Sequence, residues 1–199
     1  SYSVTGVQTC ALPILEKAGY KLDREIASLL FFGIITDTGF FRHLEKGAGI
    51  YFNAVARLVD AGASPKESYY AMNGGKRLEG RKLLGELLLR TSAWYENKLL
   101  VSWLTLADQE RYGLESRDSD MLYQLLLTIE NSEAVVILRQ ESEQYCTIGF
   151  RSKTWVDVGA LAAKFGGGGH KHASGAYVQG SVEELKQRVL QAFEEIFGA

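Results

Sequence analysis

Apolar residues recur at helical spacing in the first third of the chain. In residues 23–39 they lie three and four positions apart and then run together, which predicts a buried helix with Asp23 as its cap. The same spacing predicts a second helix in residues 49–62. A third helix opens at Ser64, with Pro65 in its first position, where a proline is favoured. This part of the chain is therefore predicted to be helical.

From Trp94 onward the pattern changes to strands and helices in turn. Short apolar or alternating runs predict strands at 97–105, 133–140, 143–152 and 175–180, the second and third joined by a hairpin. Helical spacing predicts helices at 105–113, 116–130, 154–165 and 181–198. The last of these begins with a capping box of Ser181 and Glu184. Three or four strands are thus expected in one mixed sheet.

These elements predict an α/β fold with two parts. Residues 15–73 form the helical part, and residues 94–199 form a small mixed-sheet α/β domain. The glycine-containing helical pattern in residues 74–93 is interpreted as a long connector helix. The domain boundary is expected between Asn73 and Tyr95.

Composition limits the classes of partner. The chain has 46% hydrophobic and 23% charged residues and a net charge of −2, so no bulk basic charge attracts nucleic acid. Any anion must be bound by a local cluster of donors. No apolar run reaches the roughly 18 residues of a membrane span, so no membrane partner is expected. Two cysteines are too few for a disulfide framework, which favours a cytoplasmic location.

The first residues differ from the rest. The run from Val4 to Ile14 has no clear period and resembles the translation of a synthetic sequencing adapter. Residues 1–14 are therefore interpreted as adapter-derived, and the natural chain as extending upstream of Leu15. The alternative is an apolar N-terminal strand.

Four consecutive glycines precede two histidines in the segment from Lys164 to Val178. Each interior glycine costs about 0.5–1 kcal/mol relative to alanine, so a close approach of the backbone is expected. Successive bare amides at Gly166, Gly167, Gly168 and Gly169 would suit an anion, phosphate above all. His170 and His172 would add donors. A flexible turn, a metal-binding histidine pair or a structural His172 are the alternatives.

Two further elements carry candidate site residues. Arg151 and Lys153 follow a predicted strand, where an arginine can hold a phosphate through two parallel hydrogen bonds, or form a surface salt bridge. Asp37 emerges from a wholly apolar segment, and burying a carboxylate is costly unless it is paired or binds a cation. A divalent metal is one partner for Asp37, and a helix-terminating turn is the other interpretation.

Three motifs occur together and resemble a known family. They are Asp-Thr-Gly-x-x-Arg at 37–42, Arg-Ser-Lys at 151–153 and Gly-Gly-Gly-Gly-His-x-x-Ala-x-Gly at 166–175. In this order they resemble the DHH-family phosphoesterases, in the branch of oligoribonucleases and 3′-phosphoadenosine 5′-phosphate phosphatases. The resemblance covers residues 15–199. It implies the end of a DHH catalytic domain in residues 15–73 and a DHH-associated substrate-binding domain in residues 94–199.

The family resemblance implies roles for individual residues. Two Mn²⁺ ions, or Mg²⁺, activate a water in such enzymes, and Asp37 would be one of their ligands. Arg42 would be a nearby phosphate contact or a structural partner. The substrate phosphate and base would be bound by Arg151, by the loop of Gly166, Gly167, Gly168 and Gly169, and by His170, with Lys153 and His172 as weaker candidates.

The chain departs from the family in one respect. It has no Asp-His-His triplet and no early Asp-x-Asp, so the fragment is expected to be inactive by itself and to lack an upstream catalytic domain. The preferred hypothesis is the C-terminal part of a phosphoesterase that acts on short RNA, phosphoadenosine phosphate or cyclic dinucleotides, with a homodimer as one possible assembly. The alternatives are a stand-alone nucleotide-binding module and a single-strand DNA exonuclease.

Overall fold

A computed structural model of the chain describes residues 18–113 and 117–198. The contacts divide the chain into two compact units, the first ending at Gly75 and the second beginning at Lys76. No helix in the described ranges is long and apolar enough to cross a bilayer. The interpretation of residues 1–14 as adapter-derived concerns a segment outside the described residues.

The first unit is helical, as predicted. Its helices are α1 (Arg24–Asp37), α2 (Gly49–Asp60) and α3 (Pro65–Asn73). The predicted caps are confirmed, since Asp23 Oδ1 accepts from the Ile26 amide at 2.8 Å and Ser64 Oγ accepts from the Glu67 amide at 3.2 Å. The core of this unit consists of Ala27, Phe31, Ile34, Ile35, Ala54, Leu58 and Ala63.

The second unit is a mixed sheet with helices on both faces. In chain order its described elements are α4 (Leu78–Leu89), β1 (Ser92–Trp94), β2 (Leu99–Leu104), α5 (Leu106–Tyr112), α6 (Ser119–Leu127), β3 (Ala134–Gln140), β4 (Tyr145–Ser152), α7 (Val158–Lys164), β5 (Gly168–His170), β6 (Ala173–Gln179) and α8 (Val182–Phe197). The strand order is β1-β2-β3-β4-β6-β5. Only the β2–β3 pair is parallel among the described strands. The predicted α/β class and mixed sheet are confirmed.

The sheet has six described strands instead of the three or four that the pattern predicted. The two additional strands, β1 and β5, are three residues long and lie at opposite edges. Such short segments show no alternation of their own, and β5 begins with two glycines. These two strands form because they pair with β2 and β6, and the local sequence pattern does not predict them.

The residues predicted as a connector helix form part of the second unit. Helix α4 has 12 residues, so it is shorter than the predicted segment 74–93. Leu83 and Leu87 on α4 are buried in a core with residues of β2 and β3. The Ser102 hydroxyl also donates to the Leu87 carbonyl at 2.8 Å, which fixes the end of the helix to β2. Packing against the sheet therefore holds this helix in the second unit.

The two faces of the sheet are covered unequally. Helices α7 and α8 pack on one face, in a core that includes side chains of β2, β3, β4 and β6. On the other face, α4, α5 and α6 bury side chains of β2 and β3, namely Leu100, Leu104, Val135 and Ile137. The outer part of this second face, formed by β4, β6 and β5, is consequently where a ligand can approach the sheet.

Candidate functional site

An open cleft of about 390 Å³ lies over the outer part of the second sheet face. It is lined by residues of α6, β3, β4 and β6. Two of them are arginines, Arg139 and Arg151, and two are tyrosines, Tyr123 and Tyr177. Arginine donors beside exposed aromatic surface suit a ligand that combines an anionic group with a planar ring.

Strand register places Arg151 and His170 on the same face. Arg151 on β4 lies opposite Ala173 on β6, and Ala173 lies opposite His170 on β5. Directly paired residues of antiparallel strands point to the same side of a sheet. The structure thus brings together two of the predicted phosphate-binding residues, although 18 residues separate them in the chain.

The next row across the sheet consists of glycines. Gly149 on β4 lies opposite Gly175 on β6, which lies opposite Gly168 on β5. A side chain added at Gly149 would collide with the Tyr123 hydroxyl, whereas one added at Gly168 would meet nothing within 4 Å. The sheet therefore presents bare backbone at Gly168, two residues before His170 on β5, and β6 separates it from Arg151 on β4.

Arg151 is half-buried and held in place by an aromatic ring. Its Nη1 donates to the Phe150 carbonyl at 3.0 Å, and its Cζ lies 4.6 Å from the centre of the Tyr123 ring. Within the described residues Arg151 forms no salt bridge, so the alternative of a surface ion pair finds no support there. Its guanidinium therefore has donors left for an anion, and Asp120 is a carboxylate in the lining of the same cleft.

Tyr123 is a buried residue with an unsatisfied hydroxyl. The side chain is 5% exposed, and within the described part of the chain its hydroxyl has no hydrogen-bond partner. Burial raises the pKa of Tyr123 to about 12, against the opposing effect of Arg139 and Arg151. An unpaired buried hydroxyl costs about 1–3 kcal/mol, and here it lies in the wall of the cleft.

Arg139 is a site residue that the sequence reasoning missed. Its Nε donates to Thr147 Oγ1 at 3.0 Å and its Nη1 donates to Ser119 Oγ at 2.9 Å, which orient the guanidinium along the cleft. The alternation of β4, where Thr147, Gly149 and Arg151 occupy every second position, marks one face of that strand. The pairing of β3 with β4, which sets Arg139 opposite Thr147, is what places Arg139 on this face.

The glycine run is not the continuous loop of free amides that the sequence predicted. The Gly166 amide donates to the Ala163 carbonyl at 3.0 Å, and the Gly167 amide donates to the Ala162 carbonyl at 2.9 Å. With φ of 75° at Gly166, these bonds form a Schellman cap on α7. Two of the four amides thus satisfy helix carbonyls, and Gly168 begins β5.

The close approach that the glycines permit is to another strand. A side chain at Gly167 would overlap the Gly175 carbonyl oxygen, and one at Gly169 would lie 2.6 Å from the Ala173 carbonyl oxygen. Gly166 and Gly168 have nothing within 4 Å of the corresponding position. Alternate glycines therefore serve the packing of β5 on β6, and the other two face open space.

The weaker candidates, Lys153 and His172, have contacts within the fold. His172 Nδ1 lies 3.0 Å from the hydroxyl of Ser152, which is buried. The Lys153 amide donates to the Glu133 carbonyl at 2.8 Å. The contact with Ser152 is consistent with a structural role for His172. Ligand binding by the Lys153 or His172 side chain stays a prediction.

In the first unit, Asp37 is the last residue of α1 and precedes a strained turn. Gly39, Phe40 and Phe41 have positive φ values of 57°, 58° and 71°. For residues other than glycine this conformation costs of order 1–3 kcal/mol and persists where the surroundings enforce it. The Thr38 hydroxyl, fully buried, donates to the Ile34 carbonyl at 2.7 Å and secures the start of the turn.

Arg42 closes the same turn. Its Nε donates to the Gly39 carbonyl at 2.8 Å, and the rest of the side chain is exposed. Among the described residues no group of three or more histidines, cysteines, aspartates and glutamates could hold a metal. These residues do not fit a two-metal site. Metal binding by Asp37 and phosphate contact by Arg42 stay predictions.

Comparison with known proteins shows similarity along nearly the whole chain. The family model described as the DHHA1 domain matches residues 96–199. The chain is 32% identical over 188 residues to the bifunctional oligoribonuclease and PAP phosphatase NrnA of Thermus thermophilus, covering 92% of the chain and 54% of that protein. It is 30% identical over 163 residues to NrnA of Bacillus subtilis, covering 80% and 50%.

A solved structure shares the fold. The exopolyphosphatase-related protein of Bacteroides fragilis superposes with a TM-score of 0.79 at 28% identity, covering 87% of this chain and 51% of that one. The chain thus spans about half the length of these three proteins.

Proposed function

Because the chain belongs to the DHHA1 domain family, we propose that its second unit binds the phosphate and the adjoining part of a nucleotide or short oligoribonucleotide, as the substrate-binding part of a phosphoesterase. The observation that carries the proposal is the row of Arg151 and His170 on one sheet face, with β6 between them and the bare backbone of Gly168 in the next row. The NrnA relatives are named for activity on oligoribonucleotides and PAP, which supports this substrate class.

In this proposal each residue acts through ordinary polar chemistry. Arg151 donates two parallel hydrogen bonds to a phosphate, with the Tyr123 ring beneath it limiting its movement. His170 donates from the edge strand on the same side. Gly168 leaves room for the ligand to contact the backbone. The binding group is thus rigid, because strands and one aromatic ring hold it.

Hydrolysis in this proposal needs metal ligands besides those described. Asp37 would supply one ligand to Mn²⁺ or Mg²⁺, and one carboxylate cannot hold two ions. We therefore assign the described residues to substrate binding, and we expect the 199-residue chain to bind nucleotide without hydrolysing it. Release of phosphate from adenosine 3′,5′-bisphosphate by the purified chain with added Mn²⁺ would contradict that expectation.

Replacing Arg151 tests the proposal. We expect the chain to bind adenosine 3′,5′-bisphosphate with a Kd in the millimolar range, about −4 kcal/mol. The Arg151→Ala variant should weaken this binding at least about tenfold, because a charge-assisted pair to phosphate is lost. Titration followed by NMR chemical shifts measures both.

Arg111→Ala is the matched control. Arg111 also lies over a tyrosine ring, 5.0 Å from the centre of Tyr112, but it is outside the cleft. Its loss should leave the Kd unchanged. If Arg151→Ala and the wild-type chain bind with equal affinity, Arg151 is not part of the site and the proposed function is contradicted.

A further inference from the structure

An exposed aromatic platform lines the cleft at the end away from Arg151. The Tyr177 side chain is 61% exposed although it lies on a strand of the sheet. Its ring stacks on that of Tyr145, with ring centres 5.1 Å apart and planes inclined by 5°. Tyr177 lines the cleft and Tyr145 does not, so Tyr145 supports the ring from behind. The supported ring offers its other side to the cleft.

The platform shares a sheet face with the phosphate-binding row. Tyr177 lies opposite Thr147, and Thr147 lies opposite Arg139, so these three form one row. Arg151 is four residues along β4 from Thr147, a separation of about 13 Å in an extended strand. The glycine row lies between the two. A ligand that reaches both ends must therefore extend along β4 and β6.

We propose that Tyr177, backed by Tyr145 and beside Arg139, is a base-stacking subsite for the nucleotide that follows the one bound at Arg151. The inference rests on the proposed function and concerns only ligands of two or more nucleotides, since a mononucleotide bound at Arg151 has no second base to stack. Single-stranded nucleic acid is commonly bound by stacking its bases on exposed aromatic rings beside a cationic groove. The second row supplies both features, an open ring and the guanidinium of Arg139, whose Nε also lies 3.9 Å from Glu141 Oε1.

A purely structural role for the tyrosine pair predicts a different outcome. Stacked cross-strand rings stabilise a sheet by a few tenths of a kcal/mol to about 1 kcal/mol, whatever the ligand. A stacking subsite requires that removal of the Tyr177 ring weaken the binding of a dinucleotide and leave a ligand without the stacked base unaffected. The two roles are therefore separable by ligand affinity.

The experiment uses the 199-residue chain and four probes: 5′-phosphorylated diadenylate, its two analogues that each lack one base, and adenosine 3′,5′-bisphosphate. We expect Tyr177→Ala to bind the diadenylate roughly 5- to 150-fold more weakly, the range for loss of one base–aromatic stack. One of the two abasic analogues should bind equally to both proteins, and so should the bisphosphate. Tyr177→Phe, which keeps the ring, should bind like the wild-type chain.

Tyr70→Ala is the matched control, since Tyr70 is also 61% exposed and lies in the first unit. If Tyr177→Ala does not fold by circular dichroism, Tyr177→Thr keeps a strand-forming residue without the ring. Unchanged diadenylate affinity in the ring-less variant, or an equal loss in Tyr70→Ala, overturns the inference. If Tyr177 proves unimportant but Arg151→Ala still weakens binding, the proposed function is retained and the stacking subsite is rejected. If the wild-type chain does not bind diadenylate, both the proposed function and the stacking subsite are rejected.

Discussion

Replacing Gly167 with alanine is expected to destabilise the second unit by about 3 kcal/mol or more, whereas the same change one residue later is expected to be tolerated. The added methyl group at Gly167 would overlap the Gly175 carbonyl oxygen and lie 2.6 Å from the Ala176 Cα. Both contacts are with the backbone of β6, so relief requires that β5 separate from β6. Overpacking of this kind typically costs 1–3 kcal/mol, and more where a backbone must move. Urea denaturation followed by circular dichroism measures the loss.

Gly168→Ala is the control for that measurement. Gly168 has no atom within 4 Å of the added methyl group and no positive φ, so its free energy of unfolding should stay within about 1 kcal/mol of the wild-type value. Because the methyl group would project from the open face of the sheet in the row next to Arg151 and His170, the binding of adenosine 3′,5′-bisphosphate should weaken. Equal stability of the two alanine variants would show that the strand packing inferred from the glycines is incorrect.

This pair of glycines shows what the sequence could and could not predict. The unusual composition of residues 166–169 indicated a close approach of the backbone, and that expectation was right in kind. It could not indicate which glycines approach another strand and which face open space, because that depends on pairing with β6. Periodicity within the run carries no signal, since all four residues are identical.

Helix caps were predictable because their chemistry is local. The predicted capping box of Ser181 and Glu184 on α8 is formed, and Thr105 and Asp108 form a second one on α5. The buried face of α1 was not predictable, since a continuous apolar run offers no contrast. Within that run Leu29 is 69% exposed, whereas Phe31 is buried.

The site residues divide in the same way. Arg151 and His170 were found through motifs, whereas Arg139, Tyr123 and Tyr177 were not. These three reach the cleft through sheet register and through the position of α6 over β3. Strand alternation alone gives the face of a residue within one strand. It does not say which residues of neighbouring strands lie opposite one another. That register is what places Arg139 and Tyr177 in one row.

A buried carboxylate directly before β3 gives the remaining prediction. Glu133 is 6% exposed and accepts hydrogen bonds from the amides of Thr154, Trp155 and Val156 at 3.0, 2.8 and 3.1 Å. The Thr154 hydroxyl donates at 2.6 Å. Burial by itself would raise the pKa of Glu133, but these donors outweigh it and hold the pKa below its usual value. They fix the segment that follows Arg151 on β4.

Glu133→Gln should therefore lower the free energy of unfolding by about 2–3 kcal/mol at pH 7, because charge-assisted hydrogen bonds are lost and one amide group faces donors. The pKa is lower in the folded state, so the stabilisation is present above the unfolded value of about 4.3 and is lost as the pH falls through the folded pKa. Urea denaturation of both proteins from pH 7 to pH 3 should show the difference shrinking toward low pH.

Glu143→Gln serves as the control, since Glu143 is exposed in the hairpin between β3 and β4. The free energy of unfolding of this variant should equal that of the wild-type chain at pH 7. A Glu133→Gln variant as stable as the wild-type chain at pH 7 would mean that the amide donors do not hold the segment after β4. Because Arg151 lies two residues before Lys153, where that segment begins, the variant should also bind adenosine 3′,5′-bisphosphate more weakly, which links the stability of this carboxylate to the position of the guanidinium.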